Sequence, residues 1–124
     1  MSFVFHGIDH IQLAAPKGCE EQARQFFATI LGLSEIPKPE NLRARGGCWF
    51  KCGNQEIHIG VEEDFKPAKK AHPGLIVTNI EELKATLNKH QIDWKEEPKI
   101  EGRSRIHVSD PFGNRMEFLE FFNE

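Results

Sequence analysis

Asp110-Pro111-Phe112-Gly113-Asn114-Arg115-Met116-Glu117-Phe118-Leu119-Glu120 is the stretch whose reading decides the fold. Asp-Pro-x-Gly-Asn is turn chemistry, and the residues after it alternate as a strand does, so the segment reads as a turn feeding a closing strand. Glu117 shares its face with Leu119 and Phe121, and Glu120 lies on the other. Apolar neighbours on both faces predict little solvent contact, where a charge needs a partner. Working outward, Gly7-Ile8-Asp9-His10-Ile11-Gln12-Leu13 reads as an opening strand bearing a histidine, and Ala71-His72-Pro73-Gly74-Leu75-Ile76-Val77 opens another midway along the chain. Two histidines and a carboxylate on strands are the makings of a metal site with open positions.

Between these stretches the hydrophobic period turns helical twice. His6 to Ala15 alternates as a strand. Gly18 to Leu31 places Ala23, Phe26, Phe27, Ile30 and Leu31 at helical spacing, with Glu20 and Glu21 in the first turn and Gly32 as the stop. A short strand over Ser34 to Ile36 and a loop over Glu40 to Gly47 are expected next. Cys48 to Cys52 and Gln55 to Val61 then form a hairpin about Gly53-Asn54. On the returning strand Ile57, Ile59 and Val61 share one face, Glu56, His58 and Gly60 the other. Glu62 to Ala71 is the linker. The plan then repeats: a strand from His72 to Val77, a helix from Asn79 to His90 capped by Thr78 or Asn79, a short strand over Ile92 to Trp94, a strand from Arg105 to Ser109, and Arg115 to Phe121 after a second Gly-Asn turn. The expectation is one α+β domain over 1–124, made of a first module at about 6–62, a linker at 63–71 and a second module at about 72–121. The modules are offset by 62 residues between His10 and His72. Aligned on the Gly-Asn turns, Glu117 falls opposite Ile57, so a one-residue slip is needed to place it beside His58 or Glu56.

The totals exclude several classes. A chain of 124 residues can bury one real core, and 39% hydrophobic with 28% charged residues is globular composition rather than disorder. A net charge of −3 leaves no electrostatic footprint for nucleic acid. No apolar run is long enough for a transmembrane helix, and the beginning of the chain lacks signal-peptide features, so a cytoplasmic protein without a membrane partner is expected. Cys19, Cys48 and Cys52 suit a reducing compartment and read as buried small hydrophobes.

The histidine on the first strand, the Ala-His-Pro start to the second half and the Asp-Pro-x-Gly-Asn-Arg-x-Glu-Phe ending together resemble the vicinal oxygen chelate superfamily, which includes glyoxalase I, fosfomycin-resistance thiol transferases, extradiol dioxygenases and bleomycin-resistance proteins. The resemblance covers essentially the whole chain. It implies two βαβββ modules whose mixed sheets curl into a glyoxalase/dioxygenase-like cup around a divalent metal (zinc, nickel, manganese or iron), and a homodimer in which half cups come from different chains. Carried over position by position, it implies His10, His72 and Glu117 as metal ligands. The fourth position is open between Glu56 and His58, with His58 favoured by its place on the strand.

Other polar side chains share the inward faces. Gln12, Arg105 and Arg115 are substrate-binding candidates, the arginines for an anionic group through forked hydrogen bonds. Glu56 and His107 join Glu117 as groups able to move a proton. Trp49 and Phe50 are adjacent on a strand, so one faces the core and the other, Trp49, can line the cavity. Glyoxalase-type isomerase or lyase chemistry on a small oxygen-chelating substrate is the leading expectation. Thiol addition to an epoxide, ring-cleaving oxygenation, and metal-free sequestration of a small molecule are the rivals.

Overall fold

The alternation around Ile11 and Leu13 becomes β1 (His10–Ala15), which lies parallel to β4 (Gln55–Val61) in a computed structural model describing residues 2–122. β3 (Cys48–Cys52) runs antiparallel to β4 through the Gly53-Asn54 turn, and β2 (Ser34–Ile36) pairs with β3, giving the mixed order β1-β4-β3-β2. A second mixed sheet repeats the plan as β5-β8-β7-β6, from β5 (Gly74–Ile76), β6 (Lys95–Glu96), β7 (Arg103–Ser109) and β8 (Arg115–Phe121). Two open four-stranded sheets of this order are the expected paired βαβββ architecture.

Each sheet has one face against a helix. Ile57, Ile59 and Phe50 are almost fully buried beside Phe26 and Phe27, which descend from α1 (Glu20–Ala23) and its continuation over Arg24–Ile30. That continuation is a π-helix, with Leu31 N–H donating to the Phe26 carbonyl five residues back, and its wider turn accompanies the burial of two adjacent phenyl rings. Phe27 stacks on Phe50 with ring centroids 5.4 Å apart. On the second sheet Ile106, Val108, Met116 and Phe118 face α2 (Ile80–Lys89), which contributes Ile80 and Leu87. Each of these larger side chains contributes roughly 1.5–3 kcal/mol by leaving water. α2 starts on Asn79, whose side chain accepts from Glu82 N–H. The Glu120 carboxylate of β8 accepts from the backbone N–H groups of Asn79 and Ile80, tying the helix start to its sheet. Gly47 sits at φ +83, and a Cβ there would lie 2.0 Å from the Ile59 carbonyl oxygen, so the approach of β3 to β4 requires glycine.

Several boundaries differ from the sequence expectation, each for a local reason. The opening strand starts at His10 rather than His6, because its partner β4 begins only at Gln55, after the hairpin turn. β5 starts at Gly74, not His72: Pro73 has no N–H to give a ladder, though its carbonyl accepts from Glu117 N–H. Glu40–Arg45 is a 3-10 helix rather than a loop. The short strand expected over Ile92 to Trp94 falls instead at Lys95–Glu96, since Ile92 N–H closes the end of α2 on the Leu87 carbonyl and Trp94 Nε1 donates to Asn88. Cys19 and Cys48 are buried thiols, and burial pushes Cys48 up to about 12. Among the described residues no helix is long and apolar enough to cross a membrane.

Candidate metal and substrate site

The faces turned away from the helices carry the polar side chains. On the first sheet the two-residue turn sets Trp49 opposite His58, and the parallel pairing sets His10 beside Glu56 and Gln12 beside His58. The result is a stack of three rings. The Trp49 and His58 rings are nearly parallel, with centroids 3.7 Å apart and planes at 2°, and His10 lies on the stack 4.1 Å from His58. His58 Nε2 is 2.9 Å from Glu56 Oε1, and His10 Nδ1 is 2.9 Å from Asp9 Oδ2. Gln12 lies across Gly60, where a Cβ would meet its amide.

On the second sheet Glu117 is buried, with His72 Nε2 at 3.2 Å from its Oε1 and Arg105 donating from Nε to Oε2 at 2.8 Å. The Arg105 guanidinium holds the Glu117 carboxyl below the usual carboxylate range, against the opposing effect of burial and with help from His72. Glu117 is therefore an ionised acceptor. His72 Nδ1 is 2.8 Å from the Lys70 carbonyl, an oxygen that can only accept, so Nδ1 carries the hydrogen. In the neutral ring Nε2 then presents a lone pair toward a carboxylate oxygen, an arrangement that makes sense with a proton or a cation shared between them. Two ligands at about 2.1 Å from one divalent ion, as for zinc–imidazole and zinc–carboxylate bonds, stand roughly 3.0–3.4 Å apart. The 3.2 Å separation and the backbone-anchored imidazole fit that requirement.

The ionised Glu117 has a consequence for stability. Its folded value lies below its unfolded one, so its contribution is fully present above the ordinary glutamate range and is lost as pH falls through the lowered value. In urea titrations between about pH 6 and pH 2, Glu117→Gln should flatten part of the acid limb and lower the neutral plateau, because Arg105 is left without its counter-charge. An unchanged acid limb would remove the Arg105–Glu117 pair as its source.

The four histidine and carboxylate positions proposed as ligands are not gathered in one chain. His72 and Glu117 meet on the second sheet; His10 and His58, with Glu56, meet on the first. Among the described residues no group of three or more His, Cys, Asp or Glu side chains is placed to hold one ion. The strand register also relates the halves. Shifting by the 62 residues from His10 to His72 carries Gln12 to Gly74, whose strand partners are His58 and Glu117 respectively. His58 is thus the counterpart of Glu117 across the duplication, and the one-residue slip is real. The His58 ring, however, is enclosed between Trp49 and His10.

The remaining candidates divide. Arg105 is committed to Glu117 and to the Pro98 carbonyl. His107 is the cross-strand partner of Glu117, with Nδ1 buried and 3.7 Å from Glu97 Oε2. Arg115 Nη2 donates to the same Glu97 oxygen at 2.7 Å. Glu97, whose side chain is nearly buried, was not singled out by the sequence; its only signal is a place beside a two-residue strand.

Among solved structures, a protein assigned to the glyoxalase family from Bacillus anthracis is 56% identical, with 98% of this chain and 100% of that one covered and a TM-score of 0.95. Lactoylglutathione lyase from Agrobacterium tumefaciens matches at 20% identity over 94% of each chain, TM-score 0.73. A genomically encoded fosfomycin resistance protein from Listeria monocytogenes matches at 16% over 96% of each, TM-score 0.76. At such identities the last two show the shared fold. No family model and no curated protein matches the sequence.

Proposed function

Because this chain belongs to the glyoxalase family of the vicinal oxygen chelate superfamily, we propose that it is a metal-dependent enzyme acting on a small substrate with two neighbouring oxygens, with isomerase or lyase chemistry of the glyoxalase type. The observation that carries the reading is the His72–Glu117 pair, an oriented imidazole nitrogen facing an ionised carboxylate oxygen at a chelating separation. His72 and Glu117 from one chain and His10 from a second copy would hold a divalent ion, with Glu56 or His58 beside it. When bound there, such an ion supplies Lewis acidity to the substrate oxygens.

The chain's own residues do the rest. Arg105 keeps Glu117 charged and holds both of its oxygens, Oε2 from Nε at 2.8 Å and Oε1 from Nη2 at 3.3 Å, while Oε1 also faces His72 Nε2. Lys70 fixes the imidazole through its carbonyl. Glu56 and His107 are the groups placed to accept and return a proton, each beside a ligand candidate, His10 and Glu117 respectively. Trp49 supplies an apolar wall behind His58.

One observation favours a second reading, the metal-free container: Arg105 already neutralises Glu117 without any ion. Metal analysis decides between them. Protein offered zinc, nickel, manganese or iron and then desalted is expected to retain one of them near one ion per chain, and His72→Ala to lose it by at least about tenfold in affinity, as changes to residues that only hydrogen-bond a ligand already achieve. Wild-type protein that stays metal-free after all four would remove the metalloenzyme and leave the container.

A further inference from the structure

Of the two arginines that could hold an anionic substrate group, Arg105 has all three nitrogens engaged, by Glu117 and the Pro98 carbonyl. Arg115 gives only Nη2, to Glu97. Arg115 lines a cleft of about 440 Å³ between the β7–β8 hairpin and the 62–71 linker, together with Lys66, Lys69, His107 and Ser109. None of the side chains lining it is acidic, and among the described residues neither lysine makes an ion pair. Three cations in one small cleft, against a single buried carboxylate behind Arg115, are unusual on a chain of net charge −3. The linker is brought there by the hairpin turn: Gly113 is at φ +91, and a Cβ on it would stand 3.2 Å from Pro67.

We propose that this cleft seats an anionic oxygen group of the substrate, a phosphate, phosphonate or carboxylate, held by Lys66, Lys69 and Arg115. The cleft continues toward the donor pair. A neighbouring cleft of about 430 Å³ shares Lys66 and Arg115 and is also lined by His72, Gln12 and one carboxylate, Glu62. Arg115 precedes Glu117 by two residues on one face of β8, a spacing of about 7 Å along a strand. The substrate class is therefore a small metabolite whose anionic end lies roughly that distance from its reacting oxygens. Arg115 contributes the forked donor, the two lysines contribute mobile point charges that close over the group. The inference rests on the proposed function for what happens at the other end of the ligand, but the seat itself needs no metal.

The test uses metal-free full-length protein titrated with inorganic phosphate and, separately, with acetate, followed calorimetrically at low ionic strength because exposed charges are screened by salt. Lys66→Ala/Lys69→Ala should weaken binding of the accepted anion by about tenfold, the combined effect of two exposed charges. Lys17→Ala/Lys89→Ala, the same charge change elsewhere, should leave it unaltered. Both lysines of the cleft are exposed, so the variant should keep its fold, checked by circular dichroism. Whichever anion is lost in the first variant and kept in the second supports the seat and names its kind. No binding of either anion by the wild type, or equal loss in both variants, overturns it. A protein that seats phosphate but never takes up metal would keep the seat and remove the metalloenzyme.

Discussion

Mixing chains that carry His10→Ala with chains that carry His72→Ala should restore metal binding that neither variant shows alone. Each chain places His10 on the first sheet and the His72–Glu117 pair on the second, without gathering them into one group. β1 and β5 are both edge strands, and the segment before β1 leaves Phe3, Val4, Phe5 and Ile8 exposed, while Ile76, Phe121 and Phe122 are exposed on the second sheet. A two-fold pair that sets the first sheet of one copy against the second sheet of the other covers this apolar surface. In such a pair each site takes His10 from one copy and His72 with Glu117 from its partner. A mixed dimer of the two variants then has one site lacking both histidines and one site with both. Random exchange makes half of all dimers mixed, so the mixture should recover about a quarter of the wild-type metal content, with each parent near zero. Elemental analysis after subunit exchange and desalting reads this directly. A mixture that stays at zero while the wild type loads would mean that His10 and His72 do not serve a common ion across two copies.

How much of this was readable in advance follows the range of the interactions involved. The β3–β4 and β7–β8 hairpins were legible because each Gly-Asn turn is local and the flanking alternation has one period. The same turn also fixes Trp49 opposite His58, so half of the ring stack could be counted out from the loop. His10 completes the stack through the parallel pairing of β1 with β4, across 46 positions of chain, and no local rule sets that register. Strand ends failed for the related reason that a strand lasts only as long as its partner. Glu117 was legible as a carboxylate needing a counter-charge, and Arg105 as an inward-facing arginine. Their meeting was not, because it is a diagonal contact between hairpin strands: the direct partner of Glu117 is His107, and that of Arg105 is Leu119. Arg105 is thereby occupied by Glu117 and the Pro98 carbonyl, whereas Arg115 gives only Nη2, to Glu97.

Asp110→Ala should be among the most damaging single substitutions outside the apolar core, although Asp110 touches no proposed ligand. The Asp-Pro-x-Gly-Asn stretch is a joint between the two halves. The buried Asp110 carboxylate accepts from the backbone N–H of Phe112 and of Asn114 at 2.9 and 2.8 Å, and from Asn114 Nδ2 at 2.8 Å. Held in this way, Asn114 also donates from Nδ2 to the Ala14 carbonyl of β1, 100 positions away. The neighbouring Ala15 carbonyl accepts from Glu62 N–H beside β4, and successive carbonyls of a strand point to opposite sides, so Ala14 O is directed off the free edge of the first sheet. Burial pushes the Asp110 carboxyl up while these donors pull it back, so its charge is tolerated only because of them. Alanine takes the acceptor from the Phe112 and Asn114 N–H groups and leaves the Asn114 amide only the Ala14 carbonyl; at about 1–3 kcal/mol for each stranded group the loss should reach roughly 3–5 kcal/mol. Asp110→Asn separates shape from chemistry. It keeps the volume and one acceptor oxygen, but turns an NH₂ toward the Asn114 NH₂, and so should recover less than half of the loss. Urea unfolding of both variants beside Asn114→Ala measures this. If Asp110→Ala costs under about 1 kcal/mol, the range of an ordinary surface change, then the joint contributes little and the halves are held by their shared apolar core alone.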